Sequence, residues 1–225
     1  MVVWFGTNLN NGLRFFESDK IMGRVSDAKV RLMDAVLELI WTGSYGTTTI
    51  DQICEKAGVK KGSFYYFFNS KADVAVAALD EAFNEKRVEL DAIFSPTVPP
   101  LERIRKYCDF TYKKQEKVHQ ECGFVLGCPL CTLGTEVSTQ EQALRAKIQE
   151  ILEYISKYVV SALRDAHATG AIYAPDAEAK ARVLQAYMEG LLTQARIQNS
   201  VEVLREMTDG VFEVLGVKNI HSVPI

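Results

Sequence analysis

Apolar residues recur every three or four positions along most of the chain. This spacing places them on one face of a helix, so each apolar stripe predicts an amphipathic helix. Such stripes cover residues 30–41, 76–94, 144–163, 184–195 and 204–215. No alternating apolar and polar pattern is long enough to predict a strand. The sequence therefore predicts an all-α protein with about nine helices.

Residues between the stripes predict where helices begin and end. Thr49 followed by Gln52 is typical of a capping box, in which each side chain bonds the backbone amide of the other residue. Ser138 and Glu141 have the same spacing and predict another helix start. Gly58 is predicted to end a helix, because glycine readily adopts the left-handed backbone conformation.

These patterns divide the chain into three segments. Residues 1–23 have no clear helical period and are predicted to form an N-terminal extension. Residues 24–71 contain short helices and tight turns, whereas residues 72–225 contain long helices. No linker-like segment separates the last two, so their boundary is predicted at the start of the helix that begins near Ser70.

The charge of the chain is unevenly distributed. The net charge of −3 argues, for the chain as a whole, against a protein that binds nucleic acid. Residues 24–71, however, contain seven Lys or Arg and five Asp or Glu, a net charge of +2, which leaves −5 for the rest. A small basic segment on an acidic body is compatible with DNA binding at one end of the molecule.

Neither a membrane span nor a secretory signal is predicted. The chain has no uncharged apolar run of about eighteen residues, the minimum for a spanning helix. Its opening residues lack the basic start, apolar block and small-residue cleavage site of an export signal. The predicted location is therefore the cytoplasm.

The five cysteines are an odd number in a chain without an export signal, which predicts reduced thiols. The spacing of His119, Cys122, Cys128 and Cys131 would also suit a zinc site. The alternative is that these thiols are buried and inert. No metal site is predicted.

The sequence offers no support for an enzyme. Catalysis would need a nucleophile beside a base, or paired carboxylates, at a consistent spacing. The three histidines stand apart from one another, and no glycine-rich phosphate loop is present. No catalytic residue and no cofactor are predicted. A further alternative is an adaptor that binds protein, whose affinity for DNA would not depend on salt.

The most informative segment is residues 45–71, YGTTTIDQICEKAGVKKGSFYYFFNSK. Thr49 is predicted to cap a short helix that buries Ile53 and Ala57, and Gly58 then turns the chain into a second short helix near Lys60. Two short helices that meet at a glycine-containing turn predict a helix-turn-helix.

The second helix has an unusual outer face. Phe64 and Phe68 lie four positions apart and are predicted to face inward, which points Tyr65 and Tyr66 outward beside lysines and a serine. Hydroxyl and ammonium groups suit phosphate oxygens and base edges in the major groove. The alternative is that both tyrosines are core residues with only their hydroxyl groups in water.

The same segment resembles the DNA-binding signature of the tetracycline-repressor-like (TetR/AcrR) family of transcriptional regulators. The matching run is GVKKGSFYYFFNSK, residues 58–71, with Thr48, Thr49 and Ile50 upstream. The resemblance implies a regulator, and specifically a repressor, that binds operator duplex DNA in a sequence-specific manner. The DNA-binding residues that it implies are Thr48, Thr49, Lys60, Lys61, Ser63, Tyr65, Tyr66 and Lys71.

Two positions depart from the family pattern. Many members have histidine where this chain has Phe67, and without a polar group that DNA contact is in doubt. Asp51 lies where some members use a basic residue that reads a base. An acid there is expected to face solvent or to accept a hydrogen bond from cytosine.

The resemblance also implies that residues 72–225 form a ligand-binding and dimerisation domain. Members dimerise through their last two long helices, here residues 175–198 and 200–215. The predicted interface residues are Tyr187, Leu191, Leu192, Ala195, Leu204 and Val211. Residues 127–137, GCPLCTLGTEV, resemble the start of the sixth helix in a subset of members.

A small apolar or aromatic ligand is the expected effector. Bulky aromatic and sulfur-containing residues in the C-terminal segment resemble the lining of a small-molecule pocket. The predicted lining is Tyr107, Cys108, Phe110, Phe124, Cys128, Tyr154 and Tyr158. The alternative is that these residues fill a solid core.

Overall fold

The computed structural model describes residues 24–217 and confirms the predicted all-α fold. The prediction for residues 1–23 lies outside the described residues. The ten helices of the described part are α1 (Arg24–Thr42), α2 (Ile50–Ala57), α3 (Lys61–Phe67), α4 (Lys71–Ile93), α5 (Pro100–Cys122), α6 (Pro129–Val137), α7 (Gln142–Ala168), α8 (Ala177–Gln198), α9 (Glu202–Arg205) and α10 (Met207–Leu215). One helix was predicted for residues 200–215, and it is divided in two at Glu206, where φ is −89° and ψ is 6°.

The described residues form two compact units. The head unit comprises residues 24–86 and 129–151, and the body unit comprises residues 87–128 and 152–217. The sequence-based boundary at residue 72 divides the chain by expected function and not by packing. It stays a prediction.

The head unit is built around α1, which packs against α2, α3 and α6. The apolar stripe of α1 supplies buried Leu32, Val36 and Trp41, while Ile53 of α2 and Phe64 of α3 are fully buried. Burying a side chain of this size contributes roughly 1.5–3 kcal/mol. The helix-turn-helix is thus fixed by a core of its own.

In the body unit, α10 packs against α5 and α8, and α9 packs against α8. The close approach of α8 and α10 depends on Gly210, because a Cβ there would lie 1.8 Å from the hydroxyl oxygen of Tyr187. The buried contacts of these helices include Ile104, Leu184 and Phe212.

The structure corrects four of the six predicted dimer residues. Leu192, Ala195, Leu204 and Val211 are at most 1% exposed in a single chain. They already pack within their own chain, so they have no surface to offer a second copy. Tyr187 and Leu191 are half-buried and keep part of their surface.

The loop that precedes α6 is held at several backbone positions within the body unit. The buried amide of Gln115 pairs with both backbone groups of Gly127, at 3.0 and 3.1 Å. Arg196 donates to the carbonyl of Leu126 at 2.7 Å, and Asn199 accepts the amide of Val125 at 2.8 Å. These bonds fix the backbone of residues 125–127 within the body unit.

Among residues 24–217, no helix combines the length and apolar character needed to span a membrane.

Candidate nucleic-acid interface

The helix-turn-helix has the predicted local structure. The Thr49 side chain accepts the amide of Gln52, and the Gln52 side chain accepts the amide of Thr49 at 2.8 Å, which confirms the capping box. Gly58 ends α2 with a φ of 62°, and its amide donates to carbonyls of the last turn. A side chain at residue 58 would strain this backbone conformation.

The recognition helix α3 presents its tyrosines to solvent. Phe64 and Phe68 are 0% and 5% exposed, whereas Tyr65 and Tyr66 are 52% and 75% exposed. This pattern confirms the predicted orientation, and the alternative of core tyrosines is wrong. Phe67 is half-buried with its ring edge-on to Tyr66 at 4.9 Å, so it packs within the helix.

A charged pair lies across the two helices of the motif. The Lys61 ammonium is 2.7 Å from the Asp51 carboxylate, and both side chains are more than half exposed. The hydrogen bond and charge of Asp51 raise the pKa of Lys61. The expectation that Asp51 faces solvent is confirmed, and it does so as the partner of a predicted DNA-binding lysine.

The remaining predicted contacts differ in exposure. Lys60 and Thr49 are exposed, and Ser63 is half-buried. Thr48 is a correction, because its side chain is only 4% exposed and its hydroxyl donates to the carbonyl of Ser44 at 2.7 Å. Its hydroxyl therefore stabilises the turn before α2 and offers almost no surface to a phosphate.

Lys71 also bonds within the protein. Its ammonium donates to the carbonyls of Tyr45 and Thr48 at 2.6 and 2.8 Å, and it lies 4.0 Å from the centre of the Tyr45 ring. Burial lowers the pKa of Lys71. An ammonium has three N–H groups, so a phosphate contact through the remaining one stays a prediction.

Sequence reasoning missed Glu136 of α6 as part of this site. Its two carboxylate oxygens accept the backbone amides of Tyr45 and Gly46 at 2.9 and 2.7 Å. The neighbouring Glu141 accepts the Tyr45 hydroxyl at 2.9 Å, and burial together with this bond raises the pKa of Tyr45. The available signal was the resemblance of residues 127–137 to the start of a family helix, which gave Glu136 no role.

The aromatic residues predicted to line a ligand pocket differ in their surroundings. Tyr107 is fully buried and lies 5.3 Å from Phe94, whose ring stacks on Tyr158 at 5.3 Å. Tyr154 packs edge-on against Tyr158 at 5.6 Å. These rings form an aromatic cluster. Phe124 does not join them, since it is 62% exposed.

The cysteines of the predicted pocket are both buried. Cys108 and Cys128 are 1% and 4% exposed, and burial raises the pKa of the Cys108 thiol to about 12. A thiol with so high a pKa is a poor nucleophile at neutral pH. The five cysteines all lie in the described residues and form no disulfide. Among the described residues, His119 and Cys122 belong to no group of three or more side chains that could hold a metal ion.

An open groove of about 450 Å³ lies elsewhere in the body unit. Its lining includes Pro96, Pro100, Arg103 and Asp165, and none of the predicted pocket residues. Arg103 is almost fully buried, and it holds the groove wall by bonds to the carbonyls of Pro96 and Val98 and to the Asp165 carboxylate. Because all three of its nitrogens are engaged, the groove presents no free guanidinium to a ligand.

Comparisons with known proteins agree with this geometry. The family model "Bacterial regulatory proteins, tetR family" matches residues 32–78, and "Tetracyclin repressor-like, C-terminal domain" matches residues 100–211. The transcriptional regulator AcuR of Cereibacter sphaeroides is 30% identical over 180 residues, which cover 79% of this chain and 80% of the relative. The chain belongs to the TetR family.

Solved structures and a second relative support the same assignment. The crystal structure of a regulatory protein TetR from Rhodobacter sphaeroides has a TM-score of 0.72 and 28% identity, and the match covers 83% of this chain and 98% of that one. Reduced NemR from Escherichia coli shares the fold, with a TM-score of 0.73, 23% identity and coverage of 85% and 98%. The transcriptional repressor DhaR of a Mycobacterium species is 26% identical over 175 residues, which cover 76% of this chain and 83% of the relative.

Membership in the TetR family makes this chain a DNA-binding transcriptional regulator. Members are typically repressors with a ligand-binding C-terminal domain, and they are generally dimeric. The family is one of regulators and not of enzymes.

Proposed function

We propose that this TetR-family protein is a cytoplasmic repressor that binds operator DNA as a homodimer and is released by a small apolar or aromatic ligand. The observation that carries the proposal is the outer face of α3, where Tyr65 and Tyr66 are exposed on a helix whose Phe64 is fully buried. A rigid helix with exposed hydroxyl and ammonium groups can enter the major groove without disturbing its own core.

The homodimer is supported by an exposed apolar face on α8. Val183 and Ile197 are 54% and 78% exposed, and Tyr187, half-buried, lies on the same side of the helix. Exposed apolar residues that follow one helix face are typical of an interaction surface. A two-fold axis through such a face would pair two recognition helices with half-sites about 34–36 Å apart.

The ligand is supported by the family's C-terminal domain and by one buried polar group. The hydroxyl of Thr111 on α5 is fully buried and has no hydrogen-bond partner among the described residues. It lies one turn after Tyr107, on the same face of α5. A ligand that opened the aromatic cluster would find apolar walls and a hydrogen-bonding group there, as small-molecule sites require.

DNA binding can be tested by fluorescence anisotropy with a labelled duplex from the upstream region of the gene, at a series of salt concentrations. We expect the affinity to fall steeply as salt rises, because phosphate contacts release counterions. An affinity that is the same at low and moderate salt would contradict DNA binding and favour a protein-binding adaptor. Tyr65→Phe should weaken binding to all duplexes alike, and the control Tyr173→Phe changes a tyrosine of the body unit that is 78% exposed.

Ligand release requires a second measurement on the same complex. A panel of small apolar and aromatic compounds should include at least one that releases the duplex, and that compound should bind more weakly when DNA is present, by the same factor. If no compound in a broad panel released the duplex, the proposed control by a ligand would be contradicted, but the proposed DNA binding would not.

A further inference from the structure

An ion pair joins the outer surfaces of α2 and α3. The Lys61 ammonium lies 2.7 Å from Asp51 Oδ1, and the two side chains are 53% and 72% exposed. A pair this exposed contributes little to folding. Lys61 is also unfavourable for α3 itself, because a positive charge in the first turn opposes the helix dipole. The pair therefore points to a role outside folding.

Both side chains of this pair start from a fixed backbone. Asp51 lies in the first turn of α2, and Lys61 is the first residue of α3. Beneath them, Ile53 and Phe64 are fully buried and hold the two helices together. Tyr65 follows Lys61 by one turn and is 52% exposed on the same side of α3. A hydrogen-bond acceptor and a donor are thus held side by side on the candidate DNA-binding surface.

The same order of donor and acceptor fits one kind of base pair. In the major groove, a G·C pair presents the guanine acceptors N7 and O6, followed by the cytosine N4 amino donor. Guanine O6 and cytosine N4 share a Watson–Crick hydrogen bond, so they are about 2.9 Å apart. This spacing is close to the 2.7 Å between Lys61 and Asp51. A cation beside guanine and a carboxylate beside cytosine would match the edge of the pair.

The hydrogen bonds of such a complex can all be formed at once. An ammonium has three N–H groups, so Lys61 can keep Asp51 as its partner and donate to guanine N7 and O6. The Asp51 carboxylate can accept the N4 hydrogen that Watson–Crick pairing leaves free. The ion pair need not separate when it meets the bases, and neither charge is left unpaired as water is excluded.

We propose that Asp51 and Lys61 act as one unit that reads a single G·C base pair of the operator, with guanine beside Lys61 and cytosine beside Asp51. The inference rests on the proposed function, because it specifies part of the DNA sequence that this protein binds. It assigns Asp51 a direct contact with a base, made by the same carboxylate that holds Lys61.

The four base pairs should then bind in a definite order, written here with the base beside Lys61 first. T·A offers thymine O4 and adenine N6 in the matching order, but it places a methyl group beside Lys61 and the acceptor N7 beside Asp51. C·G and A·T turn an amino group toward Lys61 and a carbonyl oxygen toward Asp51. The expected order is therefore G·C first, T·A second, and the other two last.

The experiment uses the full chain and a duplex that the wild-type protein selects from a randomised library. Each position of the selected site is replaced by all four base pairs, and affinities are measured by fluorescence anisotropy. One position in each half-site should prefer G·C over C·G and A·T by roughly tenfold or more. Asp51→Ala and Lys61→Ala should each relax the preference at this position and leave the preferences at other positions unchanged.

A reversed ion pair gives a sharper test. The double variant Asp51→Lys, Lys61→Asp keeps the two charges and the combined length of the side chains, but it exchanges donor and acceptor. Its preference at the same position should change from G·C to C·G, since guanine now belongs beside residue 51. The control Glu55→Gln removes another exposed acid of α2, and it should leave the order of the four base pairs unchanged.

Several results would overturn the inference without contradicting the proposed function. The two single variants could relax different positions, or the position that they share could prefer a pair other than G·C. Equal weakening of all sequences in Lys61→Ala, with a salt slope lower by about one phosphate contact, would show that Lys61 binds the backbone instead. If the reversed pair binds no duplex, the single variants decide. A wild-type protein that selects no duplex would contradict the proposed function itself.

Discussion

Asp51 places a negative charge on a surface that must approach phosphates. Its carboxylate lies 2.7 Å from the Lys61 ammonium, with both side chains largely exposed. Such exposed pairs contribute little to folding, typically up to about 1 kcal/mol. We expect a larger effect on DNA binding, because Lys61 is a predicted DNA-binding residue and would have to exchange Asp51 for a phosphate. Asp51 is therefore expected to restrain a lysine that would otherwise bind any phosphate.

Asp51→Asn should therefore increase affinity for random duplex severalfold and lower the ratio of operator to random affinity. The salt slope should steepen by about one phosphate contact, since Lys61 is released. Anisotropy titrations with both duplexes at several salt concentrations measure these quantities. Glu178→Gln, which removes an exposed acid of the body unit, serves as the control. An unchanged affinity ratio would show that the ion pair has no part in discrimination.

The thiols differ in accessibility and should differ in reactivity. Cys108 is 1% exposed, and burial raises its pKa to about 12, whereas Cys122 is only half-buried. The thiolate is the reactive form. At neutral pH, maleimide should therefore label Cys122 well before Cys108. Peptide mass spectrometry of a time course measures both rates, and labelling of Cys108 as fast as that of Cys122 would contradict this prediction.

At the scale of the helices, the spacing of apolar residues predicted which face of a helix is buried, but not which distant residues the helix contacts. The stripe at residues 144–163 is buried as expected at the six positions that define it: Leu144, Ile148, Ile151, Ile155, Val159 and Leu163. The predicted capping box at Ser138 and Glu141 is wrong, because α7 begins at Gln142 and the Glu141 carboxylate accepts the Tyr45 hydroxyl. That contact joins residues 96 positions apart, and no local pattern can indicate it.

The dimer residues show the same limit of sequence reasoning. The apolar stripes predict that Leu192 and Val211 face apolar surroundings. Those surroundings could be either the core of the same chain or the surface of a second copy. The structure decides for the core, since both are fully buried in one chain. The exposed residues Val183 and Ile197 lie outside the apolar stripe of residues 184–195, so the sequence did not predict them as interface residues. The sequence therefore predicted a helix that carries the proposed dimer surface, but not the residues that are exposed on that surface.

The contact between α8 and α10 gives a prediction about stability. In Gly210→Ala the new Cβ would lie 1.8 Å from the Tyr187 hydroxyl oxygen, so the helices must separate or the tyrosine must move. Overpacking of this kind costs roughly 1–3 kcal/mol of unfolding free energy. Chemical denaturation should show this loss. Gly62→Ala, in a helical position with open space around it, should be neutral or stabilising.

A double variant tests whether the cause is the clash. Adding Tyr187→Ala to Gly210→Ala removes the group that the new Cβ would meet. The two substitutions should then be far from additive, because residues in contact show coupling energies of about 0.5–3 kcal/mol. Strict additivity would mean that Gly210 matters for its backbone and not for the approach of Tyr187.

At the scale of the whole molecule, the proposed dimer through the exposed face of α8 is expected to connect folding with DNA binding. A single recognition helix reads one half-site, whereas two related by a two-fold axis read a palindrome with a fixed spacing. A dimer interface must be exposed in the isolated chain and covered when two chains associate. Val183 and Ile197 meet the first condition, half-buried Tyr187 meets it in part, and Leu192 does not.

Ile197→Glu should therefore prevent dimerisation, whereas Leu192→Glu should prevent folding. Ile197 is 78% exposed in one chain, so the new charge should leave the monomer folded, with an unfolding free energy within about 0.5 kcal/mol of the wild type. In a dimer the same charge is buried without a partner, which costs several kcal/mol, and sedimentation should shift to the monomer with loss of operator affinity. Leu192→Glu buries its charge inside the chain and should unfold it. If Ile197→Glu sediments as a dimer and binds operator normally, the two-fold axis passes through another surface.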